Sequence, residues 1–309
     1  MPNQFSAFGH IGVDSYPDLL NKAIDTVWVQ ANQEVLKLAP FFDVETKDSG
    51  MTHVISSVTS QLPLPVENND TEALPYFTPA PGFDKTFVLL PYRSGIRVTS
   101  TMLKADRFDK VMQMTTGQLK SARRLDEKLR AAIFNNSFAS GTGSDAQYLC
   151  ADSHPHENPD AGTWDNKGTG ALTGANLQAL RLLMRKMTDC QNDPEPVTPV
   201  TLLIPEDLEQ AALELIRSPQ RAEDALNAVT VLLSGLKVVV SEELSSAVAY
   251  WLIGDKQGYE RGLCEVVLED WNIKDNSPAN ADIVVDKRIK AIKAFGFTTS
   301  KNVFGSTGS

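Results

Sequence analysis

The chain has 309 residues, enough for about two domains of ~150 residues, with 42% hydrophobic and 22% charged residues and a formal net charge of -10. Such a balance describes an ordinary globular protein and argues against general affinity for nucleic acid, which rests on clustered Lys and Arg. Cys150, Cys190 and Cys264 are odd in number and far apart, so neither a disulfide framework nor a CxxC metal knuckle is expected. No apolar run approaches the ~18 to 20 residues that span a bilayer, so no membrane partner is expected, and the N-terminus has no secretion-signal pattern.

Residues 1–16 are low in charge and rich in Gly, Ser and Phe, and they read as an arm. Tyr16-Pro17-Asp18 then opens a helix with Leu19, Ala23, Val27, Ala31, Val35 and Leu38 at helical spacing, which Pro40 ends. From Met51 to Thr101 the chain reads as short β runs (Val54-Ile55, Phe87 to Leu90, Ile96 to Thr99) separated by six prolines. Proline lacks a backbone donor, so these runs suit sheet edges and extended arms that lean on a neighbour.

A long helix follows from about Asp106, with Phe108, Val111, Thr115, Leu119, Ala122, Leu125, Leu129 and Ile133 on the helical period and only Gly117 weakening it. Its charges pair at helical spacing, Asp106 with Lys110, Arg123 with Glu127 and Asp126 with Arg130. Lys104 to Arg130 holds eight Lys or Arg against four Asp or Glu, which reads first as a solvated face and second as contact with an acidic partner or packaged nucleic acid.

Residues 139–175 are a Gly-, Asp- and Asn-rich loop. A helix over 176–187 with Leu177, Leu180, Leu183 and Met184 on one side ends before Asp193-Pro194-Glu195-Pro196, a break that reads as a domain boundary. Val200 to Ile204 is a buried-type strand, and Pro205 at the first helical position opens the next helix, closed at Arg217-Ser218-Pro219. Strands over 236–240, 249–253, 264–269 and 282–292 finish the chain, the last with a half-buried edge pattern.

Chemistry-bearing motifs are weak. Cys150 to Glu157 contains thiolate, imidazole and carboxylate, yet His154 and His156 flank a proline on a loop and no second cluster completes a metal site. A hydrogen-bonded turn is the better reading. Gly141-Thr142-Gly143-Ser144 follows a helix and lacks the downstream Gly-Lys-Ser/Thr of a phosphate loop. No Gly-x-Ser-x-Gly elbow occurs, and Glu206 and Asp207 are explained as first-turn residues of a helix. No catalytic residue, cofactor or metal is assigned.

Two stretches together resemble the major capsid proteins of tailed bacteriophages, the Hong Kong 97 type fold. The first is Ile96 to Leu103 with Asp106-Arg107-Phe108 and the long helix to Leu129; the second runs from Leu149 through Ser153-His154, Ala171-Leu172-Thr173 and Thr201 to Pro205 into Leu208, Ala211, Ala212 and Leu215. The resemblance implies an α+β chain. Its expected parts are an N-terminal arm (1–45), an extended β-loop (46–100), a peripheral domain with the spine helix (101–197), an axial domain (198–262) and strands closing the peripheral domain (263–309). It implies a non-enzymatic subunit that self-assembles through hexamers and pentamers into an icosahedral shell around double-stranded DNA, made in the host cytoplasm and located in the virion capsid. Scaffolding, portal and decoration proteins are the expected partners, with packaged DNA contacted weakly. Leu62, Leu64, Tyr76, Phe77 and Phe83 are the residues expected between copies. Many members carry an N-terminal scaffolding extension, for which this arm has little room, so scaffolding would be a separate protein or dispensable. An encapsulin-like compartment and, further off, a metal-dependent enzyme on the Cys150 to Glu157 loop are the alternatives.

Overall fold

A computed structural model describes residues 36–58, 81–99, 101, 108–217, 235–255, 262–275 and 283–308. The helix expected over 17–38 lies almost wholly outside these residues; at its end, Ala39–Phe41 is a single 3-10 turn with Leu38 fully buried before it. The chain separates into two compact units.

The described residues of the smaller unit are Leu36, 90–99, 101, 108–126, 268–275 and 283–293. It contains strand β4 (Leu90–Thr99), most of helix α1 (Phe108–Asn135), and long stretches of β11 (Leu263–Asp275) and β12 (Ile283–Phe297). β4 pairs antiparallel with β12, Ile96 opposite Lys287 and Pro91 opposite Ile292. Among the described strands β4 is an edge, which is where a strand tolerates the donor missing at Pro91. β12 lies between β11 and β4, which corrects the edge pattern read for 282–292. The alternation failed as a guide because Lys287 and Lys293 are themselves buried.

α1 is ~42 Å long at 1.5 Å per residue, and Thr115, Leu119, Ala122 and Asp126 form its buried side in this unit. Leu119 and Ala122 pack with Trp271, Ile289 and Ala291. The pairing of Asp126 with Arg130 is also corrected, since both side chains are buried and meet other partners, Arg130 binding Glu127 and Glu265. Asp126 Oδ2 accepts from Trp271 Nε1 (2.9 Å) and Lys293 Nζ (3.1 Å).

The described residues of the larger unit are 37–58, 81–89, 127–217, 235–255, 262–267 and 294–308. β1 (Asp43–Thr46) runs parallel to the start of β11, Asp43 opposite Cys264. β2 (Thr52–Val58) and β3 (Pro81–Val88) form a two-stranded ribbon. The loop expected over 139–175 holds three two-residue strands, β5 (His154–Pro155), β6 (Thr163–Trp164) and β7 (Lys167–Gly168), before helix α2 (Gly174–Arg185). Thr173 caps α2 by accepting from Asn176 N. β8 (Pro199–Ile204), helix α3 (Glu209–Arg217), β9 (Lys237–Val240), β10 (Tyr250–Gly254) and β13 (Val303–Ser306) follow. Pro205 is extended (ψ 166°) and precedes a 3-10 turn at Glu206–Leu208, so it stands one place outside the helical residues rather than at the first of them.

β7, β13, β10, β8 and β9 make one five-stranded sheet in that order. Trp251, Ile253, Leu203 and Val303 face one core with Ala131, Phe134 and Leu149; Tyr250, Leu252, Leu202, Ile204 and Phe304 face a second with Leu177, Met184, Ala212 and Ile216. A sheet covered on both faces needs apolar residues at every position, which is why 202–204 is an unbroken apolar run. The turn at 193–196 joins segments of the second core, since Met184 and Met187 before it and Val197 after it belong to the same cluster. Arg130 is inside this unit, its Nη2 2.6 Å from Glu265 Oε2 and its guanidinium 5.5 Å from the centre of the Phe295 ring.

Candidate assembly surface

The β2–β3 ribbon has two faces of different character, because Thr52 opposes Val88, His53 opposes Phe87, Val54 opposes Thr86 and Ile55 opposes Lys85. Strand side chains alternate, so His53, Ile55, Ser57, Phe83, Lys85 and Phe87 share one face and Thr52, Val54, Ser56, Asp84, Thr86 and Val88 the other. The first face is anchored to its own subunit. Phe87 is 3% exposed and fills the space left by Gly296, where a Cβ would come within 2.7 Å of its ring. Ser57 Oγ donates to Glu157 Oε1 (2.8 Å) and accepts from Phe83 N (2.8 Å). The Lys85 ammonium donates to the Thr142 carbonyl; burial pulls its pKa down, with Asp145 opposing. His53 Nε2 is 3.2 Å from Glu45 Oε1 on β1.

The second face is bare. All six of its side chains are exposed, including Val54 at 53% and Val88 at 59%, and Met51 (45%) and Val44 on β1 (62%) are exposed as well. An isolated two-stranded ribbon is marginal in water and offers open edges to another chain.

Of the residues expected between copies, Leu62, Leu64, Tyr76 and Phe77 lie outside the described residues. Phe83 is half-buried on the anchored face. Val54 and Val88 were read as members of short β runs and not as contacts between copies; their signal is the alternation of β2 and β3, which becomes informative only once the register is known.

The Cys150 to Glu157 segment is built as a hydrogen-bonded turn. His154 is fully buried, with Nδ1 2.6 Å from Asp145 Oδ2 and Nε2 3.1 Å from Asn166 Oδ1, and its ring stacks on Trp164 at 4.3 Å. Burial pushes the Cys150 thiol far above the ordinary thiol range, and burial with Lys301 nearby lowers His156. Among the described residues, no three His, Cys, Asp or Glu side chains are grouped as a metal would require. The 141–144 turn is pinned by Ser144, whose N and Oγ both donate to the Thr298 carbonyl.

Residues 84–301 match a family model described as phage capsid protein. This chain belongs to the phage capsid protein family. The fold of the capsid protein is shared by the virus-like particle from Pyrococcus furiosus (10% identity, 92% of this chain and 98% of that one, TM-score 0.54). It is shared also by the capsid of cyanophage P-SCSP1u (12% identity, 88% of each chain, TM-score 0.55). The holo-SrpI encapsulin complex from Synechococcus elongatus PCC 7942 is similar too (11% identity, 87% of this chain and 85% of that one, TM-score 0.50). No curated protein sequence matches the capsid protein. The α+β Hong Kong 97 type fold and the role of a major capsid protein, self-associating into the shell of a virion, accord with the sequence-based expectation.

Proposed function

We propose that this capsid protein assembles through hexamers and pentamers into an icosahedral shell enclosing double-stranded DNA, with the β2–β3 ribbon and the 59–80 segment it carries lying across a neighbouring copy. The supporting observation is the division of the ribbon into one face tied down by Phe87, Ser57 and Lys85 and one bare face carrying Val54 and Val88. Contacts of this head-to-tail kind close into rings. Leu62, Leu64, Tyr76 and Phe77 extend the contact beyond the ribbon, and Phe83 braces its base.

In this reading residues 1–45 are an arm and 46–100 an extended loop. The axial domain is centred on 198–262, joined by α2, β7 and β13, and the peripheral domain is built on α1 and the long strands. Assembly takes place in the host cytoplasm with scaffolding, portal and decoration proteins as partners, and the subunit carries no reaction of its own. The chain's net negative charge keeps packaged DNA from adhering broadly to its container.

The test is electron microscopy of purified protein beside a variant lacking residues 60–82. Shells from the full chain and folded capsomers without shells from the variant are expected; normal shells from the variant would overturn the role of the loop. An encapsulin-like compartment is the second reading, favoured by the similar encapsulin fold. Shells purified with stoichiometric protein cargo and no nucleic acid would move it to the front.

A further inference from the structure

Over residues 113–135 the exposed charges of α1 are all cations. The two carboxylates of that stretch turn inward: Asp126 to Trp271 and Lys293, and Glu127 to the Leu38 amide (2.7 Å) and Arg130. Lys120, Arg124 and Lys128 are all exposed. At 100° per residue these three fall on one arc of the helix with Gln113, Gly117 and Ser121, about 100° wide, the cations following each other at steps of ~6 Å.

Gly117 supplies a second observation. Glycine inside a helix is destabilising, and one of its uses is to let another group approach the backbone closely. Among the described residues nothing requires it here, since a Cβ at 117 would meet no atom within 4 Å. The arc is thus open to solvent, positively charged and lowered at one turn.

We propose that this arc of α1 is a contact surface for packaged double-stranded DNA, with Lys120, Arg124 and Lys128 meeting phosphates and Gly117 letting a backbone strand approach. The proposal rests on the shell reading above. Phosphate backbone is favoured over a protein partner because the arc has cations and small polar groups without an aromatic or aliphatic anchor; Met114 lies beyond its rim. Only phosphate is read, so binding is independent of sequence and weak for one subunit, and it sums over the many copies of a shell.

The experiment measures binding of a fluorescent 30-base-pair duplex to the full-length protein, alongside the triple variant Lys120→Gln, Arg124→Gln, Lys128→Gln and the single variant Gly117→Gln. Three phosphate contacts predict an affinity that falls about 40-fold between 50 and 200 mM salt. The triple variant should lose most of this salt dependence while shells still form by electron microscopy. Gly117→Gln, which has room in the fold, should bind the duplex more weakly. Wild-type binding by either variant overturns the proposal, as does failure of the triple variant to assemble, which would make the arc a contact between copies. Stripe-dependent binding of poly-glutamate with no duplex binding would also overturn it, in favour of an acidic protein partner. If the unmodified chain forms no shells, the shell reading fails instead.

Discussion

Lys293 Nζ lies 3.1 Å from Asp126 Oδ2, with the two side chains 4% and 1% exposed. Trp271 Nε1 donates to the same carboxylate oxygen, and Asp270 Oδ1 stands 2.8 Å from the ammonium. Removing one member of such a pair strands a buried charge, at a cost of ~3–5 kcal/mol, whereas removing both is far milder. Lys293→Met should therefore destabilise the chain by about that amount, and Lys293→Met with Asp126→Asn should recover most of the loss. Urea unfolding of the two variants and the wild type checks the cycle.

Glu269 accepts from Lys274 (2.8 Å) and Lys290 (2.6 Å), and these bonds hold its pKa down to about 2 from the ordinary 4.5. A carboxylate lowered by folding contributes stability that is complete above its unfolded value and disappears as pH falls through the folded one. The melting temperatures of wild type and Glu269→Gln should differ at pH 6 and converge as pH drops from about 4.5 towards 2.

Asn166 is fully buried and donates through Nδ2 to the Leu149 and Val303 carbonyls (2.7 and 2.8 Å) while Oδ1 accepts from Ala151 N (2.8 Å). Each backbone group orphaned inside the protein costs about 1–3 kcal/mol. Asn166→Ala should lose about 3 kcal/mol or more, with amide exchange accelerated first at Ala151.

At Gly296 an added methyl would meet the Phe87 ring at 2.7 Å. Gly296→Ala should loosen the ribbon from its own subunit at a folding cost of about 1–3 kcal/mol and reduce shell yield more than thermal stability. Val54→Glu with Val88→Glu should leave the melting temperature within a few degrees and abolish shells, because both side chains are on the bare face. Light scattering beside a thermal melt separates the two effects.

The regular elements were legible where one period dominates. α1, α2 and the β8 to α3 connection follow from helical spacing, apolar runs and the proline at 205. The inward charges were not legible. Asp126 finds Lys293 167 residues along the chain, and no helical pattern distinguishes such a residue from a solvated one. β12 read as an edge because its lysines imitate solvent-facing positions. Strands of two residues, such as β5 to β7, are too short to carry a period, so the network around Asn166 and His154 was hidden in a loop-like composition. At the assembly surface, proline spacing located the extended segment, but which of its faces stays bare depends on pairing across the ribbon.

Long-range strand pairing sets a kinetic condition on shell building. β13 pairs with β7 and is tied to Asn166 by a bond spanning 137 residues, and Asp43 pairs with Cys264 across most of the chain. Loops of this length must close before their contacts contribute, so folding is slow relative to helical proteins of similar stability. Meanwhile the bare ribbon and the edge strands are available to any collision. Yield of native subunit should thus decline as refolding concentration rises, making the rate of chain supply, as much as affinity between finished subunits, a control on how many shells form.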